Sequence, residues 1–85
     1  MPGICSFKGI NIYIYYNDHM PPHFHAICGD DEILVSIDDA EIIKGSLPNK
    51  LEKMVIGWAV LHEEELKENW RLAKNKQELF KVKPL

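Results

Sequence analysis

The sequence predicts an α+β fold: an antiparallel meander of four to five strands followed by two helices, or one bent helix, packed on one face. Two observations carry this. Apolar residues alternate with a period of two through the first half of the chain, and recur every three or four residues through the second. The period changes after Gly45-Ser46, a pair that breaks either pattern. The reading is therefore one domain over 1-85, with a strand-rich half at 1-47 and a helical half at 48-85 that ends in a short basic tail.

Taken in order, Cys5 to Phe7 before Lys8-Gly9 reads as a short edge strand. Ile10, Ile12 and Ile14 alternate with Asn11, Tyr13 and Tyr15, a strand with one aliphatic and one aromatic or polar face that ends at Tyr16. Phe24 to Cys28 forms the next strand, and Gly29-Asp30-Asp31 turns it back because glycine accepts positive φ and Asp side chains bond nearby amides. Glu32 to Ile37 places Ile33, Val35 and Ile37 on one face, and Asp38-Asp39 leads into a short strand from Glu41 to Lys44.

Beyond that point Leu51, Met54, Val55, Trp58, His62, Leu66, Trp70 and Ala73 form one helical stripe that should cover the sheet. Ser46 or Asn49 is placed to cap its start, with Pro48 in the first turn. One helix from Pro48 to Lys74 would reach about 40 Å, too long for so small a domain, so a break is expected at Leu61-His62. Glu63, Glu64 and Glu65 then occupy the positively polarised first turn of a second helix. Phe80 to Leu85 alternates apolar and basic residues and reads as a final edge strand or an ordered arm.

Composition bounds the function. In 85 residues, 46% hydrophobic and 27% charged is ordinary globular content, which excludes disordered and low-complexity classes. No apolar run approaches the roughly 20 residues of a membrane span, and Met-Pro-Gly-Ile-Cys has no basic region leading into an apolar signal core. The expectation is a cytoplasmic protein with no membrane contact, and with Cys5 and Cys28 reduced. Net charge of −3 excludes a polycation, but it is unevenly divided: −5 over residues 1-47 and +2 over 48-85. Arg71, Lys74, Lys76, Lys81 and Lys83 against Glu78 leave the last fifteen residues at +4, a section available for RNA contact, although lysines complementing a helix end is the simpler account.

Chemistry concentrates in His-Met-Pro-Pro-His-Phe-His at 19 to 25, which holds three of the four histidines. Pro21-Pro22 stiffens the segment and removes two amide donors. His23 and His25, two apart, share one face of a strand while Phe24 takes the other, and His19 can fold back from the loop with Asp18 beside it as an orienting partner. Three readings stay open. His19, His23 and His25 can ligate zinc or another transition metal with one position left for water, although no cofactor is firmly implied. With Asp18 they can act as a metal-free acid and base, as RNA cleavage requires. Alternatively they bond backbone groups freed by the prolines and pack against Tyr13, Tyr15 or Trp58. Tyr13, Tyr15 and Tyr16 offer an aromatic surface for a peptide or a stacked base, with strand packing the plainer role. His62 reads as a boundary histidine at the helix break, and Trp58 and Trp70 as core.

Met-Pro-Gly-Ile at the start, Gly9 to Ala26 with its Tyr-Tyr-Asn-Asp-His-Met-Pro-Pro-His-Phe-His run, Gly-Ser-Leu-Pro, and Trp58 to Trp70 resemble the small prokaryotic family of domain of unknown function 4160. The resemblance spans nearly the whole chain. It implies a small free-standing protein encoded beside another small protein, a setting that invites toxin–antitoxin or regulatory roles, and it brings no catalytic residue. The favoured expectation is accordingly a binding or regulatory module that meets a small protein partner through the loop and an exposed tyrosine strand edge, with homo-oligomers also open. The rival is a small histidine-dependent hydrolase or ribonuclease using His19, His23 and His25, with or without zinc.

Overall fold

The computed structural model describes residues 3–85, so Met1 and Pro2 of the opening Met-Pro-Gly-Ile lie outside the described residues. Five strands, β1 (Gly3–Phe7), β2 (Ile10–Tyr13), β3 (His23–Cys28), β4 (Asp31–Ser36) and β5 (Ile42–Gly45), pair antiparallel in the order in which they occur. Two helices follow, α1 (Asn49–Leu61) and α2 (Glu63–Lys74). The α+β meander is thus as the alternation predicts.

Turn chemistry sets the register. Lys8 and Gly9 both take positive φ, as a two-residue turn matched to strand twist requires, and Phe7 pairs with Ile10. Gly29 does the same between β3 and β4, so that Cys28 pairs with Asp31 and His25 with Leu34. β2 stops at Tyr13, two residues sooner than its alternation suggests, because the chain turns where the Asp18 amide donates to the Tyr15 carbonyl.

One face of the sheet carries Ile10, Ile12, Phe24, Ala26, Ile33 and Val35, all fully buried under the helices. Trp58 is the centre of that layer, its indole 5.7 Å from the rings of both Phe7 and Phe24. The expected stripe is the buried face: Val55, Trp58, Leu66, Trp70 and Ala73 are buried, and Leu51, Met54 and His62 half-buried. The helix breaks at His62, whose ring packs on Trp58 and meets Glu65 through Nδ1 at 2.6 Å. Capping departs from expectation. Pro48, not Ser46 or Asn49, stands at the start of α1 with no side-chain cap, and Glu52 reaches back to accept the Leu47 amide at 2.9 Å. Proline already holds the extended φ that position needs, and its carbonyl accepts the first helical bonds from Leu51 and Glu52.

The tail is an ordered arm rather than a strand. Val82 is buried and its amide donates to the Ile4 carbonyl; the Trp58 indole N–H donates to the Lys83 carbonyl at 2.8 Å. Asn69, fully buried on α2, bonds Phe80 reciprocally, Nδ2 to the carbonyl and Oδ1 from the amide, both at 3.0 Å. Cys5 and Cys28 are both free, and burial pushes the Cys5 thiol up, which keeps it protonated.

Two substitutions test this account. Asn69→Leu should cost about 1–3 kcal/mol and raise hydrogen exchange at the Val82 amide; unchanged exchange would show that the arm is held without it. Gly45, at φ +85°, leaves no room for a Cβ against the Glu32 carbonyl oxygen. Gly45→Ala should therefore cost about 2 kcal/mol or more and lower Tm by on the order of 10 °C, and a Tm within a degree of wild type would refute the close approach.

Candidate functional site

The pleat of β3 sends Phe24 and Ala26 into the core and His23 and His25 to the opposite face. His25 is the register partner of Tyr13 on β2 and of Leu34 on β4, so Glu32, two residues from Leu34, lies diagonally across from it on the same face. Its carboxylate meets His25 Nδ1 at 2.7 Å. On the other side of the ring, His25 Nε2 lies 3.0 Å from Asp18 Oδ2, and the same oxygen lies 3.4 Å from His23 Nε2. His23 Nδ1 faces the Pro21 carbonyl at 2.8 Å.

Asp18, His23 and His25 thus bring three ligand-type atoms within 4.8 Å of one another. Counting hydrogens shows what the cluster lacks. A neutral imidazole has one N–H. At His23 that hydrogen belongs on Nδ1, whose neighbour is a carbonyl oxygen that can only accept, so Nε2 turns a lone pair towards the Asp18 carboxylate. His25 faces carboxylate oxygen from both nitrogens and has one hydrogen for the two. A hydrogen on His25 Nε2 is donated to Asp18 and one on Nδ1 to Glu32; in the second tautomer both Nε2 lone pairs and Asp18 Oδ2 converge, an arrangement that a proton or a cation among them makes favourable.

The surroundings hold these groups in place. The His23 ring lies 5.2 Å from the His25 ring and 5.4 Å from Trp70, and the edge of Tyr15 meets His25 at 4.5 Å. The Lys74 ammonium sits 4.9 Å from the centre of the Trp70 ring and donates to the Asp18 carbonyl, while Lys76 donates to Asn17 Oδ1 at 2.8 Å. Lys74, the last residue of α2, and Lys76 just beyond it therefore strap the loop that presents Asp18. Burial, reinforced by the nearby Glu32, Tyr13 and Asp18, pushes the Tyr15 phenol up, so it remains a neutral hydrogen-bond donor at the rim.

Of the residues expected to converge, the structure brings His23 and His25 together with Asp18 and leaves His19 out. His19 is exposed and stands apart from the cluster, and Asp18 takes its place. Neighbouring residues of an extended loop cannot both point inward, and the Lys74 strap together with the Asp18 amide bond settles which one does. The tyrosines also divide. Tyr13 and Tyr15 stack at 5.9 Å with rings 8° from parallel, whereas Tyr16 packs against the core. Nor is their strand an edge: β2 is hydrogen-bonded to β1 on one side and β3 on the other, so no partner strand can add to it. The basic tail is largely engaged within the chain, with Lys74, Lys76 and Lys81 bonded to Asp18, Asn17 and Gly3 and Arg71 to Glu68. His62 and Glu63 to Glu65 lie at the helix joint, where Glu65 meets His62 and Glu63 pairs with Lys67. Glu32 and Lys74 are site residues that sequence reasoning missed. Glu32 was detectable, since a two-residue turn at Gly29-Asp30 already implies its diagonal to His25; Lys74 depends on where α2 ends and had no such signal.

Among the described residues, no helix is long and apolar enough to cross a membrane. No curated protein and no solved structure matches the chain. The model of the domain of unknown function DUF4160 matches residues 9–71, which include Asp18, His23, His25 and Glu32, and the chain therefore belongs to the DUF4160 family.

Proposed function

We propose that this protein binds a zinc-type divalent ion through Asp18 Oδ2, His23 Nε2 and His25 Nε2 and works as a small metal-dependent hydrolase. The observation that supports it most is the convergence of two imidazole nitrogens and one carboxylate oxygen within 4.8 Å of one another. Two imidazoles and a carboxylate are a ligand set used by catalytic zinc, which keeps a position for water. Pro21 and Glu32 supply the outer contacts that orient metal-bound imidazoles.

A bound ion would supply Lewis acidity and a water ionised near neutral pH. The reaction it suits is addition of water across an ester: the water oxygen bonds to the electrophilic centre, the bond to the leaving oxygen breaks, and the leaving oxygen gains a proton. Electrons balance without any oxidant or reductant. The chain's own contribution is to hold the ligands, with Lys74 fixing Asp18 and the Tyr15 phenol donating towards developing negative charge. The placement of His25 between two carboxylates favours a second reading, in which it shuttles protons without metal.

Binding is checked first, on protein purified without a histidine tag. Titration calorimetry should give one zinc per chain, and zinc at 100 times Kd should add about 2.7 kcal/mol of stability. His23→Ala, His25→Ala and Asp18→Asn should each abolish tight binding, Glu32→Gln should weaken it about 10- to 100-fold, and His19→Ala should leave it unchanged. No stoichiometric zinc, or a Tm that zinc does not move, would sink the metal centre. Activity is checked next, with hydrolysis of bis(4-nitrophenyl) phosphate expected to disappear on chelation and return with zinc. Hydrolysis that ignores the chelator but is lost in His25→Ala would instead support the metal-free reading.

A further inference from the structure

A groove of about 280 Å³ opens between β1 and the C-terminal arm, lined by Gly3, Ser6, Asn11, Tyr13, Lys81 and Pro84 among others. It adjoins the metal-ligating cluster. Tyr13 is the direct register partner of His25, and the Tyr13–Tyr15 stack ends on the His25 ring. Tyr13 on β2 stands one strand spacing, about 5 Å, from His25 on β3.

The groove is open because residue 3 is glycine. A Cβ there would stand 3.3 Å from Tyr13 Cε1, and any larger side chain would cover the ring. Around this bare aromatic surface stand groups that fit the polar edge of a heterocycle. Ser6 and Asn11 are register partners across β1 and β2 and both exposed; Asn11 offers an amide donor and acceptor together. Lys81 uses one of its three hydrogens on the Gly3 carbonyl, at 2.7 Å, and keeps the others and its charge for a ligand. The volume suits one ring system and not a folded partner.

We infer that this groove is the base subsite of the proposed hydrolase and that its substrates are nucleoside phosphoesters, the ring lying on Tyr13 and the phosphoester reaching His23 and His25. The inference rests on the metal-centre reading for its chemistry but not for the binding of the ring. An acidic chain tolerates a nucleotide here because a single phosphate would meet the metal ion and not the acidic strand half as a whole.

The test is amide NMR of the protein titrated with adenosine monophosphate, first without metal and then with saturating zinc. Shifts at Ser6, Asn11, Tyr13 and Lys81 are expected in both series, with tighter binding when zinc is present. Gly3→Val, whose side chain suits a strand, should weaken binding by about tenfold or more, the loss of one ring stack, while zinc affinity stays at the wild-type value. Asn11→Ala serves as a second variant and should weaken binding while residue 3 stays glycine. A parallel titration with the dinucleotide adenylyl-adenosine separates the two sources of the ligand: tighter binding than the monophosphate assigns the groove to a strand end, and weaker binding to free nucleotides. Groove amides that do not shift, or equal affinity in wild type, Gly3→Val and Asn11→Ala, overturn the inference. Zinc bound tightly with no nucleotide in the groove removes this inference alone. Nucleotide bound in a Gly3-dependent way with no zinc removes the metal centre and leaves the groove standing.

Discussion

The pleat of β3 is the constraint on which both the core and the site depend. Third of five strands, it is bonded along both edges, so its six residues have no freedom to slip: a shift of one residue would turn His23 and His25 into the apolar core and Phe24 and Ala26 out of it. Burial of Phe24 against Trp58 is therefore also what aims the imidazoles outward. A large aromatic in a close-packed core typically contributes about 3–5 kcal/mol, far more than the contacts of any single histidine. The site takes its geometry from the core.

The third member of the cluster, Asp18, comes from a loop, and a loop needs a different kind of restraint. Here it comes from the helical half. Lys74 and Lys76 reach from the end of α2 to Asp18 and Asn17, and Lys74 lies over Trp70, whose other neighbour is His23. The orientation of α2 depends in turn on the His62 joint and on Asn69, which fastens the arm. The arm closes the circuit at β1, where Val82 bonds Ile4 and Lys81 bonds Gly3. Elements distant in sequence thus hold one carboxylate in register with two strand-borne imidazoles, although surface lysine contacts are individually weak.

How much of this was legible in the sequence follows from the range of each interaction. Alternation in Ile10-Asn11-Ile12-Tyr13 and the stripe from Leu51 to Ala73 reflect local periods, and they yielded the strands, the helices and the break at His62. The pairing of His23 with His25 is likewise a matter of a two-residue step. The exchange of His19 for Asp18 was not legible, because it depends on a strap from a residue 56 positions away. Tyr15 illustrates the same limit: its alternation is that of a strand residue, yet β2 ends at Tyr13 and the ring lies against His25. Asn69 falls on the buried stripe by its spacing from Leu66 and Trp70, but why a polar residue stands there is intelligible only once the arm is seen to need a partner for both the amide and the carbonyl of Phe80.

The charge division acquires a structural meaning at this point. The strand half carries −5, and two of its carboxylates, Asp18 and Glu32, stand on either side of one imidazole. Two like charges near one small ring repel. Helical lysines offset part of that repulsion at Asp18, and none bonds Glu32 among the described residues. The proposed divalent cation would relieve this repulsion by taking both Nε2 atoms and Asp18 Oδ2 as its ligands. Glu32 would then accept the His25 Nδ1 hydrogen, and the excess negative charge would be neutralised where it is concentrated.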